Sequence, residues 1–191
     1  MTNQNTLTQN DICLETQRLI IREYQESDWQ DCLIYGADPD VVRFMVWGPN
    51  GPEQTKNFIG KTLVDREASP RVNFELAAFH KEDKKVIGGI GLRISSLAHK
   101  HGDIGYCFAK NYWGQNYGTE AAKAMIELAF TKLGLHRVEA FCDTENVGSA
   151  RIMEKSGMQK EGLLRHYNLI KGQWRDSLIY SILIDEWQAK K

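Results

Sequence analysis

The stretch Tyr112-Trp113-Gly114-Gln115-Asn116-Tyr117-Gly118-Thr119-Glu120-Ala121 decides how this chain folds. It joins a predicted strand, residues 102–109, to an alanine-rich predicted helix, residues 119–133. Gly114, Asn116 and Gly118 are the residue types that tolerate left-handed backbone angles. The joint therefore reads as a loop that turns several backbone N–H groups inward at a helix start. Such a start carries unpaired donors and a partial positive charge, which suits a phosphate. The stretch points to a phosphate-bearing cofactor.

Two familiar phosphate loops are excluded. A nucleotide triphosphate loop needs Gly, four residues, then Gly-Lys-Ser/Thr, and no such run is present. Gly88-Gly89-Ile90-Gly91 is glycine-rich but continues as Leu92-Arg93-Ile94, a strand pattern with no helix after it. Those glycines read as places of close backbone approach rather than as a dinucleotide fingerprint.

Outward from the loop, hydrophobic periodicity predicts the other elements. A strand is expected at residues 19–22. Ser27 is placed to cap a helix beginning near Asp28, and Asp38-Pro39-Asp40 to start a short helical piece through Phe44. Residues 48–52 read as a loop and 53–67 as a helix with Phe58, Ile59, Thr62 and Leu63 on one face. Residues 74–79 and 86–94 form a hairpin around a charged turn. A strand at 138–142 precedes a helix at 149–156 that Gly157 stops. Residues 163–170 and 174–184 form a last hairpin. Strands mixed with helices around a central strand–helix–strand unit give an α/β domain with a mixed sheet.

The composition narrows the function classes. At 191 residues, 42% hydrophobic and 26% charged, the chain suits one domain, residues 13–191, after a polar and loose N-terminus, residues 1–12. A net charge of −1 implies no strongly basic nucleic-acid binder. No uncharged apolar run approaches the ~18 residues of a membrane span, and the N-terminus lacks the pattern of a signal peptide. Cys13, Cys32, Cys107 and Cys142 suggest neither a zinc clip nor a disulfide framework, as expected of reduced thiols in a cytoplasmic protein. His99 and His101 have no third ligand candidate nearby, so no metal is expected.

Residues 104–157 resemble the GNAT acetyltransferase superfamily, whose loop pattern is Gln/Arg-x-x-Gly-x-Gly/Ala. Here Trp113 and Asn116 depart from it and Gly118 keeps it. The resemblance gains specificity from Asn146-Val147-Gly148-Ser149-Ala150-Arg151 and Glu154-Lys155-Ser156-Gly157-Met158. Within the superfamily the chain is similar to the ribosomal-protein N-acetyltransferase branch. Leu14-Glu15-Thr16-Gln17-Arg18-Leu19-Ile20-Ile21-Arg22, Thr119-Glu120-Ala121, residues 134–140 and residues 176–181 carry that likeness, which spans roughly residues 14–184.

The resemblance implies a mostly antiparallel sheet with a central splayed parallel strand pair and flanking helices. It implies that acetyl-CoA lays its pyrophosphate on the backbone of Gly114, Gln115, Asn116, Tyr117, Gly118 and Thr119. The pantetheine arm would run between Tyr106-Cys107-Phe108 and the strand at 138–142, with Asn146 bonding to it. Many relatives use a tyrosine as proton donor at the position of Met153, and some a glutamate at that of Phe141. Neither residue can serve. Ser149 is the remaining hydroxyl, as a hydrogen-bond donor or as the N-cap of its helix. By residue type Glu75 is a candidate base, and Cys107 reads better as a buried thiol than as a nucleophile. The expected reaction moves an acetyl group directly to a primary amine. The acceptor is a protein N-terminus or a small amine such as an antibiotic or polyamine, contacted by residues that include Trp47, Tyr167 and Trp174. A catalytically silent acyl-CoA-binding module is the competing reading. A homodimer is common in the resembled branch.

Overall fold

The computed structural model describes residues 11–189. Residues 1–10, most of the N-terminus expected to be loose, lie outside the described residues. At its end, Ile12 is tied in: its N–H reaches the Glu23 carboxylate and its C=O accepts the Glu23 N–H, both at 3.3 Å.

Eight strands form one sheet: β1 (Cys13–Glu15), β2 (Leu19–Glu23), β3 (Asn73–His80), β4 (Lys85–Ser96), β5 (His101–Phe108), β6 (Arg137–Asp143), β7 (Gln159–Ile170) and β8 (Gln173–Leu183). Their order is β1-β2-β3-β4-β5-β6-β8-β7. Every neighbouring pair is antiparallel except β5 and β6, which run parallel. Parallel neighbours need a crossover, and it is α3 (Tyr117–Thr131). The other helices are α1 (Trp29–Gly36), α2 (Pro52–Arg66), α4 (Val147–Lys155) and α5 (Ile184–Gln188).

Strand alternation divides the core between the two faces of the sheet. Leu76, Ile90, Ile104, Val138, Ala140 and Tyr180 pack with Ala122, Met125, Ile126 and Ala129 of α3. On the other face, Ala77 and Val86 pack with Tyr24, with Cys32 and Tyr35 of α1 and with Ile59 of α2. A glycine is required where the layers press closest. A Cβ at Gly88 would run into the backbone carbonyl of Cys107 and the ring of Phe108.

Several expected boundaries move. The start of α1 is organised by Asp28 rather than Ser27. The Asp28 carboxylate accepts the Gln25 N–H at 2.8 Å and pairs with both terminal nitrogens of Arg22. Residues 39–44 form successive turns rather than a helix. There the Asp38 side chain takes the Asp40 N–H at 2.9 Å, and Asp40 and Arg43 are drawn outward to Lys110 and Glu145. Helix α3 starts two residues earlier than the pattern suggests, so Tyr117, Gly118 and Thr119 are its first turn. Helix α4 starts at Val147 with Asn146 as its cap, which removes Ser149 from the N-cap position.

Candidate active site

The parallel ladder between β5 and β6 stops at Ile104 and Ala140, although β5 continues to Phe108 and β6 to Asp143. Beyond that point the strands diverge and a cavity of about 730 Å³ opens between them. The side chains and backbone of Tyr106, Cys107, Phe108, Gly114, Asn116, Tyr117, Gly118, Thr119, Asn146 and Ser149 all line it. Two expected site residues do not. Gln115 turns away, its amide donating to the Asn111 carbonyl at 2.8 Å while its own carbonyl accepts from Arg18 at 3.0 Å. Glu75 lies beyond the cavity, on β3.

The loop before α3 has the shape expected of a backbone cradle. Gly114 and Asn116 adopt left-handed angles, φ 72° and 65°. The first intrahelical bond runs from Glu120 N–H to Asn116 C=O at 3.0 Å. The N–H groups of Tyr117, Gly118 and Thr119 have no carbonyl one turn back to bond. Above Gly114 there is open space where a Cβ would meet nothing. Gly118 does not use the left-handed angle that its residue type allows. Its φ is ordinary, and a Cβ there would lie 2.5 Å from Cδ1 of Ile152 on α4. Trp113, at the Gln/Arg position of the family pattern, donates its indole N–H to the Phe108 carbonyl at 2.7 Å and pins the loop to the end of β5.

Sequence reading missed the residues that hold this loop from outside. The Glu120 carboxylate accepts from Thr16 Oγ1 at 2.6 Å, Arg18 N–H at 2.7 Å and Arg18 Nε at 2.8 Å. Partial burial alone would raise its pKa, but the bonds from Thr16 and Arg18 outweigh that and lower it. Lys155, at the end of α4, reaches Asn116 Oδ1 at 2.8 Å and brings a cation to the loop. No local signal links residues about a hundred positions apart.

At the other end of the cavity, the Asn146 side-chain oxygen accepts the Ser149 N–H at 3.1 Å. The Ser149 hydroxyl lies 3.0 Å from the Tyr106 hydroxyl, which also donates to the Ser149 carbonyl at 3.0 Å. Met153 is buried in the core at 1% exposure. Burial pushes the Cys107 thiol up to about 12, so a thiolate nucleophile is disfavoured.

Glu75, Gly91 and Gly105 sit side by side on three adjacent strands. The Glu75 carboxylate occupies the space above Gly91, where a Cβ would lie 2.5 Å from Oε1. Gly105 is exposed, with open space above it, and lines the cavity. The carboxylate is therefore about one strand spacing, ~5 Å, from the cavity across a floor without side chains. Burial first, and Asp65 next, push the Glu75 pKa from 4.5 up to about 7, against the pull of Lys61.

On this same face the acids lining the mouth are already paired. Asp40 bonds Lys110 at 2.6 Å, Asp143 bonds Arg175 at 2.7 Å, and Glu145 bonds Arg175 at 2.9 Å and Arg43 at 3.1 Å. The Tyr167 ring stacks on Phe141 at 5.3 Å, and exposed Val46 and Trp47 follow the lining residues Phe44 and Met45. Trp174 does not join them. It pairs with Leu169, and alternation sends it to the opposite face from Arg175. Among the described residues no three His, Cys, Asp or Glu side chains converge to hold a metal ion.

Comparison with known proteins gives the family of the chain. Residues 18–159 match the family model described as an acetyltransferase (GNAT) domain. The chain is 32% identical over 174 residues to YnaD of Bacillus subtilis (strain 168), named an uncharacterized N-acetyltransferase, covering 91% of this chain and 98% of that one. It is 27% identical over 180 residues to the [ribosomal protein uS5]-alanine N-acetyltransferase of Escherichia coli (strain K12), covering 91% and 92%. The crystal structure of a GNAT-family acetyltransferase from Bacillus anthracis superposes with a TM-score of 0.79 at 29% identity, covering 90% of this chain and 98% of that chain.

Proposed function

Because the chain belongs to the GNAT acetyltransferase family, we propose that it transfers an acetyl group from acetyl-CoA directly to the α-amino group of a polypeptide N-terminus. The observation that carries the cosubstrate reading is the splay of β5 from β6, which opens onto the unpaired N–H groups at the start of α3. The backbone of Gly114, Asn116, Tyr117, Gly118 and Thr119 supplies donors for the pyrophosphate. The freed edges of β5 and β6 supply donors and acceptors for the pantetheine amides. A β5 N–H facing the acetyl carbonyl stabilises the oxyanion as the amine attacks.

The acceptor approaches over Gly105, and Glu75 takes its proton through a water lying on the glycine floor. Magnitudes favour an α-amine. An α-ammonium group has a pKa of about 7.7–8.0 and a lysine-like alkylammonium about 10.4. A carboxylate at about 7 removes the first proton against roughly one unit and the second against more than three. A polycation is further disfavoured because Asp40, Asp143 and Glu145 are already ion-paired. The apolar rim of Phe141, Tyr167, Val46 and Trp47 suits the side chains that follow a peptide's first residue.

The test is release of CoA thiol from acetyl-CoA with three acceptors: an alanine-started peptide, the same peptide with a blocked N-terminus and an internal lysine, and spermidine. The free N-terminus is expected to exceed both others in kcat/KM by about tenfold or more, the equivalent of one pKa unit or greater. Preferential acetylation of spermidine, or of the lysine, would sink the acceptor reading.

A further inference from the structure

In the cavity, Tyr106 of β5 and Ser149 of α4 are joined by two contacts through one phenol oxygen, each at 3.0 Å. The geometry limits how the protons are arranged. A backbone carbonyl only accepts, so the single Tyr106 proton lies on the Ser149 C=O. The phenol oxygen then offers lone pairs to the Ser149 hydroxyl, which donates to it. The Ser149 Oγ also neighbours the Cys142 thiol, and all three side chains line the cavity. Burial dominates at Tyr106 and raises its pKa, so the phenol stays protonated and neutral.

We propose that Tyr106 is a positioning residue for the transfer step, holding the Ser149 hydroxyl where it can turn onto the departing sulfur of coenzyme A. This rests on the acetyltransferase reading above. The Ser149 hydroxyl has a competing choice, because the Cys142 thiol is also within its reach. Tyr106 supplies an acceptor on the cavity side and removes that choice. The amine nitrogen forms its bond to the acetyl carbon. The C–S bond breaks with its electron pair going to sulfur, and the amine proton leaves through water to Glu75. Ser149 O–H then turns from the neutral phenol oxygen to the thiolate, a stronger acceptor. It keeps its own proton, and the sulfur is protonated by solvent as the product leaves. Tyr106 remains satisfied by the Ser149 carbonyl throughout.

The experiment titrates the thiol of coenzyme A bound to the enzyme, followed by thiolate absorbance in the ultraviolet, with no acceptor present. A hydrogen bond to the thiolate lowers the pKa of the bound thiol. Ser149→Ala is expected to raise it by about one unit, the scale of one bond to a charged group. Tyr106→Phe is expected to raise it in the same direction by roughly half as much. The double variant should match Ser149→Ala alone, because both substitutions act through one hydroxyl. Tyr106→Met, which also lacks the hydroxyl, replaces Tyr106→Phe if melting shows that variant unfolded. A thiol unmoved by Tyr106→Phe but raised by Ser149→Ala overturns this inference and leaves the Ser149 role standing. Shifts that add in the double variant also overturn it. A thiol unmoved by Ser149→Ala, or no binding of coenzyme A, removes the underlying reading and the inference with it.

Discussion

Glu75 carries the sharpest prediction at the scale of the residue. Only the carboxylate accepts a proton, so kcat/KM should rise with pH along a limb centred near 7, and it should turn down again as the acceptor loses its ammonium form at about 7.7–8.0. Glu75→Gln should lower kcat/KM by about 10²-fold or more above that pH and erase the limb. The same burial acts on stability with a definite sign. The folded pKa lies above the ordinary 4.5, so between about 4.5 and 7 the folded state binds more proton than the unfolded one. Glu75 therefore costs stability as pH rises through that window. Glu75→Gln should raise the melting temperature more at pH 8 than at pH 5. An unaltered pH–rate profile in the folded variant would remove Glu75 from the mechanism. The residue type made Glu75 a candidate in the sequence. Its raised pKa comes first from burial and next from Asp65 of α2, in a place above Gly91 that a Cβ would have filled. Asn146 and Ser149 make a similar contrast. The sequence offers Ser149 as the cap and Asn146 as a pantetheine contact, and three-dimensional placement makes Asn146 the cap.

The decisive element is the loop and first turn of α3. Gly118 faces α4 there, and its Cβ space is limited by Ile152 Cδ1, the far end of a flexible side chain. Gly118→Ala should shift that methyl and leave the Kd for coenzyme A within a few-fold. Gly118→Glu has no room toward α4 and sends a carboxylate into the cradle, where it competes with phosphate for the same N–H groups. We expect about 100-fold weaker binding, near 2.7 kcal/mol, with unchanged far-ultraviolet circular dichroism. Equal affinities for wild type and Gly118→Glu by isothermal titration would mean that the loop does not hold the pyrophosphate. The loop itself was legible because glycine and asparagine report left-handed angles locally. The helical piece expected at residues 38–44 was misread because partners far along the chain, Lys110 and Glu145, pull Asp40 and Arg43 away from helical register.

For the whole molecule, coenzyme A should stabilise the fold with no metal added. Ligand at about 100 times its Kd adds about 2.7 kcal/mol. At roughly 2–4 °C per kcal/mol for a chain of this size, the melting temperature should rise by roughly 5–10 °C. The measurement is a thermal melt in EDTA, and no shift at millimolar coenzyme A would refute the cosubstrate. By itself the sequence determined what local chemistry and periodicity encode: the mixed strand and helix pattern, the left-handed turns before α3, the close-packed glycines of β4 and the family motifs. Tertiary structure alone decided what depends on distant neighbours. It stopped the β5–β6 ladder at Ile104, tied Glu120 to Thr16 and Arg18, paired the acids at the cavity mouth, and set the Tyr106 phenol against the Ser149 hydroxyl. Those features depend on which side chains the sheet order brings within a hydrogen bond of one another, and a linear pattern of residue types does not contain that distance.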